Sequence, residues 1–169
     1  ERAFDVYLLL LYAYGGAKDA SVNVDYEKLA GYLGLDTKKE KGYAFKRQIM
    51  RALYKLDKNY SLIDASFLKE KNIVNLLSYK DSAVYYEAPE REYFNIPIAY
   101  FEYGWIGKLS LRAKYCLLIN LYETELSPEN PIWSGSLNYL SKKFNVSAWL
   151  ISKGMRELRR AGLLEVMYS

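Results

Sequence analysis

Asp25-Tyr26-Glu27-Lys28-Leu29-Ala30-Gly31-Tyr32-Leu33-Gly34-Leu35-Asp36 lies without gaps on Ser136-Leu137-Asn138-Tyr139-Leu140-Ser141-Lys142-Lys143-Phe144-Asn145-Val146-Ser147, and a duplicated pattern of this kind governs the fold. Each copy opens on a residue whose side-chain oxygen can cap free backbone N–H groups, Asp25 or Ser136. Apolar positions follow at Tyr26, Leu29, Ala30 and Leu33, and at Leu137, Leu140 and Phe144, the spacing of one helical face. Gly34 and Asn145 then occupy the position where a helix ends in the left-handed conformation that these two residue types tolerate best. An aliphatic plug, Leu35 or Val146, and a second capping residue, Asp36 or Ser147, complete a helix, tight turn, helix order, which is the helix-turn-helix layout.

Working outward, the segment from Ser147 to Arg160 predicts a third helix that buries Ile151, Met155 and Leu158 at i, i+4 and i+7. Its other face carries Trp149, Ser152, Lys153, Arg156, Arg159 and Arg160. In the first copy the turn is lengthened by Thr37-Lys38-Lys39-Glu40-Lys41-Gly42. Phe45, Ile49, Ala52 and Leu56 then form the stripe expected to be buried, with Lys46, Arg47, Arg51, Tyr54, Lys55 and Lys58 left for the outside. Supporting helices are predicted over 3–14 and 111–126, the latter capped by Ser110 and apolar apart from Arg112, Lys114, Asn120 and Glu123. Residues 61–68 and 73–79 read as two strands around Lys69-Glu70-Lys71-Asn72, a hairpin wing, whereas 163–168 leave room for one strand after Gly162. Proline and charge at Ala88-Pro89-Glu90-Arg91-Glu92 mark a short join, so the predicted domains are 1–88 and 89–169, with the aromatic segment 93–101 expected to pack the entry segment of the second. The predicted class is mainly α with small β-hairpin wings, a tandem winged helix-turn-helix.

Composition narrows the function. Half the residues are apolar and a quarter charged, which suits a globular chain. The longest apolar stretch, 6–13, is far short of the roughly 18 residues that cross a bilayer. With Glu1 first and no apolar leader, the expectation is a cytoplasmic protein that has been trimmed or processed. The single cysteine, Cys116, sits in an apolar run and reads as a core residue, and there is no histidine, so neither the usual zinc ligand sets nor histidine catalysis can be assembled. No Gly-rich phosphate loop or nucleophile motif occurs, and Glu123 and Glu125 lie two apart on one helix as expected surface charges. No enzyme, cofactor, metal or membrane role is expected.

The net charge of +4 and pI near 8.9 are mildly basic, but the bases are concentrated. One cluster is Lys38, Lys39, Lys41, Lys46, Arg47, Arg51, Lys55 and Lys58; the other is Lys142, Lys143, Lys153, Arg156, Arg159 and Arg160. Each falls mostly on the third helix of its repeat. The eighteen tyrosines include Tyr7, Tyr26, Tyr115 and Tyr122 at positions that look half-buried, which favours core packing with the hydroxyl outside over stacking on single-stranded bases.

Leu109-Ser110-Leu111-Arg112-Ala113-Lys114, Pro131-Ile132-Trp133-Ser134, Leu140-Ser141-Lys142-Lys143-Phe144-Asn145-Val146-Ser147 and Glu157-Leu158-Arg159-Arg160-Ala161-Gly162-Leu163-Leu164 together resemble a winged helix-turn-helix family found in bacterial and phage replication proteins and transcription regulators. The tandem arrangement is similar to plasmid replication initiators. The resemblance implies double-stranded DNA as partner. Ser147, Ala148, Ser152 and Lys153 would face the major groove, Arg156, Arg159 and Arg160 would hold phosphates or reach flanking bases, and Trp149 would be a further DNA contact early on the same helix, where a small polar residue is more usual. In the first domain Lys46, Arg47, Arg51 and Lys55 would act likewise, with Lys69 and Lys71 at the wing tip, unless that domain serves as a homodimer or protein contact. Transcription regulation is the leading expectation. Replication initiation and a protein–protein adaptor are the alternatives, and the competing reading of each basic stripe is a solvated helix face.

Overall fold

In the computed structural model the two repeats share two backbone hydrogen bonds at matching places. Leu29 N–H donates to the Asp25 carbonyl (3.0 Å) as Leu140 N–H does to that of Ser136 (3.1 Å), and Leu35 N–H reaches Ala30 (2.9 Å) as Val146 N–H reaches Ser141 (3.1 Å). Gly34 and Asn145 are left-handed, with φ of 65° and 51°. This closes the exit of each helix by the six-to-one bond that satisfies an otherwise free carbonyl. Asp25 accepts from Glu27 N–H and Lys28 N–H, and Ser136 from Tyr139 N–H, so both predicted N-caps are formed.

The structure describes residues 1–37, 44–90, 93–125 and 132–166. The chain divides into unit 1, Glu1–Glu90 with Phe101–Gly107, and unit 2, Arg91–Tyr100 with Lys108–Ser169. It is mainly helical with one small antiparallel sheet among the described residues.

Unit 1 runs α1 (Arg2–Tyr14), β1 (Ser21–Asn23), α2 (Tyr26–Tyr32), α3 (Ala44–Lys58), β2 (Ile63–Asp64), α4 (Leu68–Lys71) and β3 (Ile73–Leu76). The apolar middle of α1 supplies Val6, Leu8, Leu9 and Leu10 to the core, and Gly15 ends it at φ 54°. Helix α3 packs on α1 and α2 through Phe45, Ile49, Ala52, Leu53 and Leu56. Burial of each large aliphatic among them contributes about 1.5–3 kcal/mol. The Asp36 cap position is described, but the lengthened turn beyond Thr37 and its charges Lys38, Lys39, Glu40 and Lys41 lie outside the described residues.

The sheet has the order β1-β3-β2, with Val22 opposite Val74 and Ile63 opposite Leu76. Two sequence expectations are corrected here. The strands predicted over 61–68 and 73–79 shrink to β2 and β3, because the Asp64 carboxylate turns the chain by accepting from Ser66 N–H (2.9 Å) and buried Leu68 anchors a helical turn, α4, ended by left-handed Asn72. A third strand, β1, was unforeseen. Its three residues carry no alternation long enough to read, yet Ser21 pairs with Asn75 and its hydroxyl donates to the Asn75 Oδ1 at 2.8 Å.

The segment linking the units' cores contains α5 (Ile98–Glu102) and α6 (Trp105–Lys108). Within unit 1, the Phe101 ring stacks on Tyr12 with centroids 4.3 Å apart. Unit 2 is built on α7 (Leu111–Glu125), α8 (Leu137–Phe144) and α9 (Ala148–Arg160). The predicted strand over 163–168 is not formed in its described part, 163–166, which runs as a bend and then irregular chain. A strand needs a ladder partner, and unit 2 has none among its described residues. Arg91, Glu92, Leu126, Pro131, Met167 and Tyr168, which also belong to the sequence motifs, are outside the described set.

Helices α7 and α9 meet at Gly154, where an added Cβ would lie 2.4 Å from the Cys116 Sγ and 2.5 Å from the Arg112 carbonyl oxygen. The buried face of α9 is therefore Ile151, Gly154 and Leu158, and Met155, expected in that stripe, is only half-buried. Glycine allows the backbones to approach, which turns the contact line toward residue 154. Cys116 is buried as expected, and its thiol donates to the Ile151 carbonyl at 3.4 Å. No described helix is long and apolar enough to cross a membrane.

Candidate nucleic-acid interface

Opposite the buried face of α9 runs a line at i, i+4, i+7 and i+11: Trp149, Lys153, Arg156 and Arg160, with Ser152 and Arg159 on one flank. Arg156, Arg159 and Arg160 are exposed, and Ser152 and Lys153 partly so. Ser147 caps the helix, accepting from Leu150 N–H at 3.3 Å. One lone pair of its oxygen is thus used at the helix start, while the O–H remains a donor. Trp149 is 64% exposed, and the Lys153 ammonium sits 5.8 Å from the centre of its ring.

The same geometry recurs on α3. Arg47, Arg51, Lys55 and Lys58 are exposed along the face opposite Ile49, Leu53 and Leu56. Lys58 is paired with Asp57 at 3.0 Å. Lys46 is drawn aside over the Tyr26 ring, 4.8 Å from its centre, and Lys55 lies over Tyr60 at 5.7 Å. Lys69 and Lys71 are exposed on the α4 turn, Lys71 lying 5.2 Å from the Phe67 ring centre.

Several charged residues behave differently from the sequence expectation. Glu123, expected at the surface, is buried and accepts from the Lys143 ammonium at 2.7 Å. Lys143 is held above the usual lysine range, chiefly by that bond and then by Tyr139. One base of the second cluster is therefore balanced internally. Lys114 and Asn120 are buried as well. Asn120 donates to the Cys116 carbonyl (2.6 Å) and accepts from the Trp133 indole N–H (3.0 Å), tying the segment before α8 to α7. Tyr7, Tyr26 and Tyr122 are half-buried, but Tyr115 is exposed, because the α7 face against α9 runs through Ala113, Cys116 and Asn120 instead.

Glu157 is the residue that sequence reasoning undervalued. On α9 it accepts from Ser110 N–H (2.8 Å), from the Ser110 hydroxyl (2.6 Å) and, at the limit of bonding, from Arg112 Nε (3.5 Å). Partial burial works to raise its pKa, but the bonds from Ser110 and Arg112 outweigh this and hold the carboxyl below the ordinary glutamate range. A capping box normally finds its carboxylate three residues after the cap. That position holds Ala113, so α9 supplies the carboxylate across space. The result locks α9 to the start of α7 and turns the one acid in the middle of α9 away from the line of Lys153, Arg156 and Arg160. Comparison of the chain with protein-family models, curated proteins and solved structures finds no match.

Proposed function

We propose that the chain is a non-catalytic, double-stranded DNA-binding protein of tandem winged helix-turn-helix type that regulates transcription, with α3 and α9 as its recognition helices. One observation carries this: on both helices the cations are segregated onto the face opposite the core, while neighbouring charges are drawn off by Asp57 on Lys58 and by Glu123 on Lys143. A line of cations spaced along one helix face matches the regular phosphates of a duplex groove. The reading of unit 1 as a winged helix is supported by its element order and by the sheet order β1-β3-β2, with the β2–β3 hairpin as wing and Lys69 and Lys71 at its tip. For unit 2 the support is that α8 has an N-cap, a left-handed exit and two backbone bonds at the places where α2 has them.

The test is an electrophoretic titration of the chain against duplex DNA over a range of salt. Arg156→Ala with Arg160→Ala should weaken binding and lower the slope of log affinity against log salt by about 0.9 for each phosphate no longer neutralised. Wild-type chain with no salt-sensitive affinity for any duplex overturns the proposal. The adaptor alternative is favoured by exposed Phe67, Tyr79 and Tyr85 on unit 1. On that reading, the double substitution weakens no protein contact.

A further inference from the structure

Core packing does not explain Trp149. An indole 64% exposed is unusual for the largest apolar side chain, and its position is not random. It stands at the second residue of α9, on the same line as Lys153, Arg156 and Arg160 and opposite Ile151, Gly154 and Leu158. It therefore contributes nothing to the core that the buried face does not already supply. The Lys153 ammonium lies over the ring, near the outer limit of a cation–π contact. In a helix laid into the major groove, the first-turn side chains meet base edges and those farther along meet phosphates. Among base edges, only thymine offers an apolar group there, its C5-methyl; the others present hydrogen-bond donors and acceptors. An indole has a single N–H donor and no acceptor for them.

We propose that Trp149 is a specificity-determining residue that packs on thymine methyl groups in the major groove, so that unit 2 prefers thymine over the same duplex lacking that methyl. This rests on the DNA-binding reading above. Arg156 and Arg160, in line with Trp149, supply the phosphate contacts that would hold the indole at the groove floor, and Lys153, one turn along, is placed to donate to an adjacent base acceptor.

The experiment is a fluorescence-anisotropy titration with two labelled duplexes of alternating A·T and alternating A·U sequence, so that every register presents a methyl in the first and none in the second. The full chain is used, with Arg47→Ala and Arg51→Ala in place to suppress α3. The thymine duplex should bind about fourfold more tightly for each methyl engaged, the worth of one buried CH2. Trp149→Ser, an exposed change, should bind both duplexes equally, at the level of the uracil duplex. Arg156→Ala should weaken both and keep the ratio. Equal binding of the two duplexes without Trp149→Ser, or a thymine preference that survives it, overturns the role of Trp149 and leaves DNA binding standing. Failure to bind either duplex, with or without the α3 substitutions, overturns the role of Trp149, and overturns DNA binding as well when the wild-type chain binds no other duplex.

Discussion

Replacing Glu157 with alanine removes the bonds that join α9 to the first turn of α7. The Arg112 contact, at 3.5 Å between partly exposed groups, contributes little. The two bonds from Ser110, at 2.8 and 2.6 Å, are made to an ionised carboxylate, for which about 1.5–3 kcal/mol each is usual. The Glu157 side chain is 28% exposed, so water retains part of that interaction and the low end applies. We expect Glu157→Ala to cost unit 2 about 2–3 kcal/mol, which for a domain of this size lowers Tm by about 10–20 °C. A double-mutant cycle with Ser110→Ala should give a coupling of about 1 kcal/mol, since that change deletes the hydroxyl bond and leaves the N–H bond. The pH dependence follows from the lowered pKa. A carboxyl depressed in the folded state stabilises it fully above the unfolded value, about 4.3, and ceases to do so as pH falls through the folded value. The stability gap between wild type and Glu157→Gln should therefore be constant at neutral pH and close below about pH 4. Calorimetric melting checks both points. An unchanged Tm for Glu157→Ala, or a gap that widens on acidification, refutes the argument.

Gly154→Ala should be more harmful than its size suggests. Its Cβ has no room beside the Cys116 Sγ and Arg112 carbonyl, so α7 and α9 must separate, at a cost of about 1–3 kcal/mol or more, measurable by chemical denaturation. Cys116, whose thiol burial pushes up to about 11, should resist thiol reagents at pH 8 in the native chain and react promptly in denaturant. A native reaction as fast as that of free cysteine contradicts its burial.

The caps and exits of α2 and α8 were legible because every signal in them is local. Caps at Asp25, Ser136 and Ser147 act on N–H groups two or three residues away, and Gly34 and Asn145 take their conformation from their own backbone. The cation stripes were legible for a similar reason: periodicity alone puts Arg47, Arg51 and Lys55, or Lys153, Arg156 and Arg160, on one face.

Tertiary structure decided what depends on partners distant in sequence. Strand β1 exists because β3 offers it a ladder, and residues 163–166 form no strand in a unit whose described residues offer none. Glu123 and Lys143 are buried or balanced because α7 and α8 bring them within 2.7 Å. Gly154 takes the centre of the helix contact, with Met155 at its flank against Asn120, because glycine permits the closer approach. Sequence determined which residues could cap, turn and line a helix face. The fold chose which charges were left outward, since pairing is a property of distance and burial rather than of order along the chain.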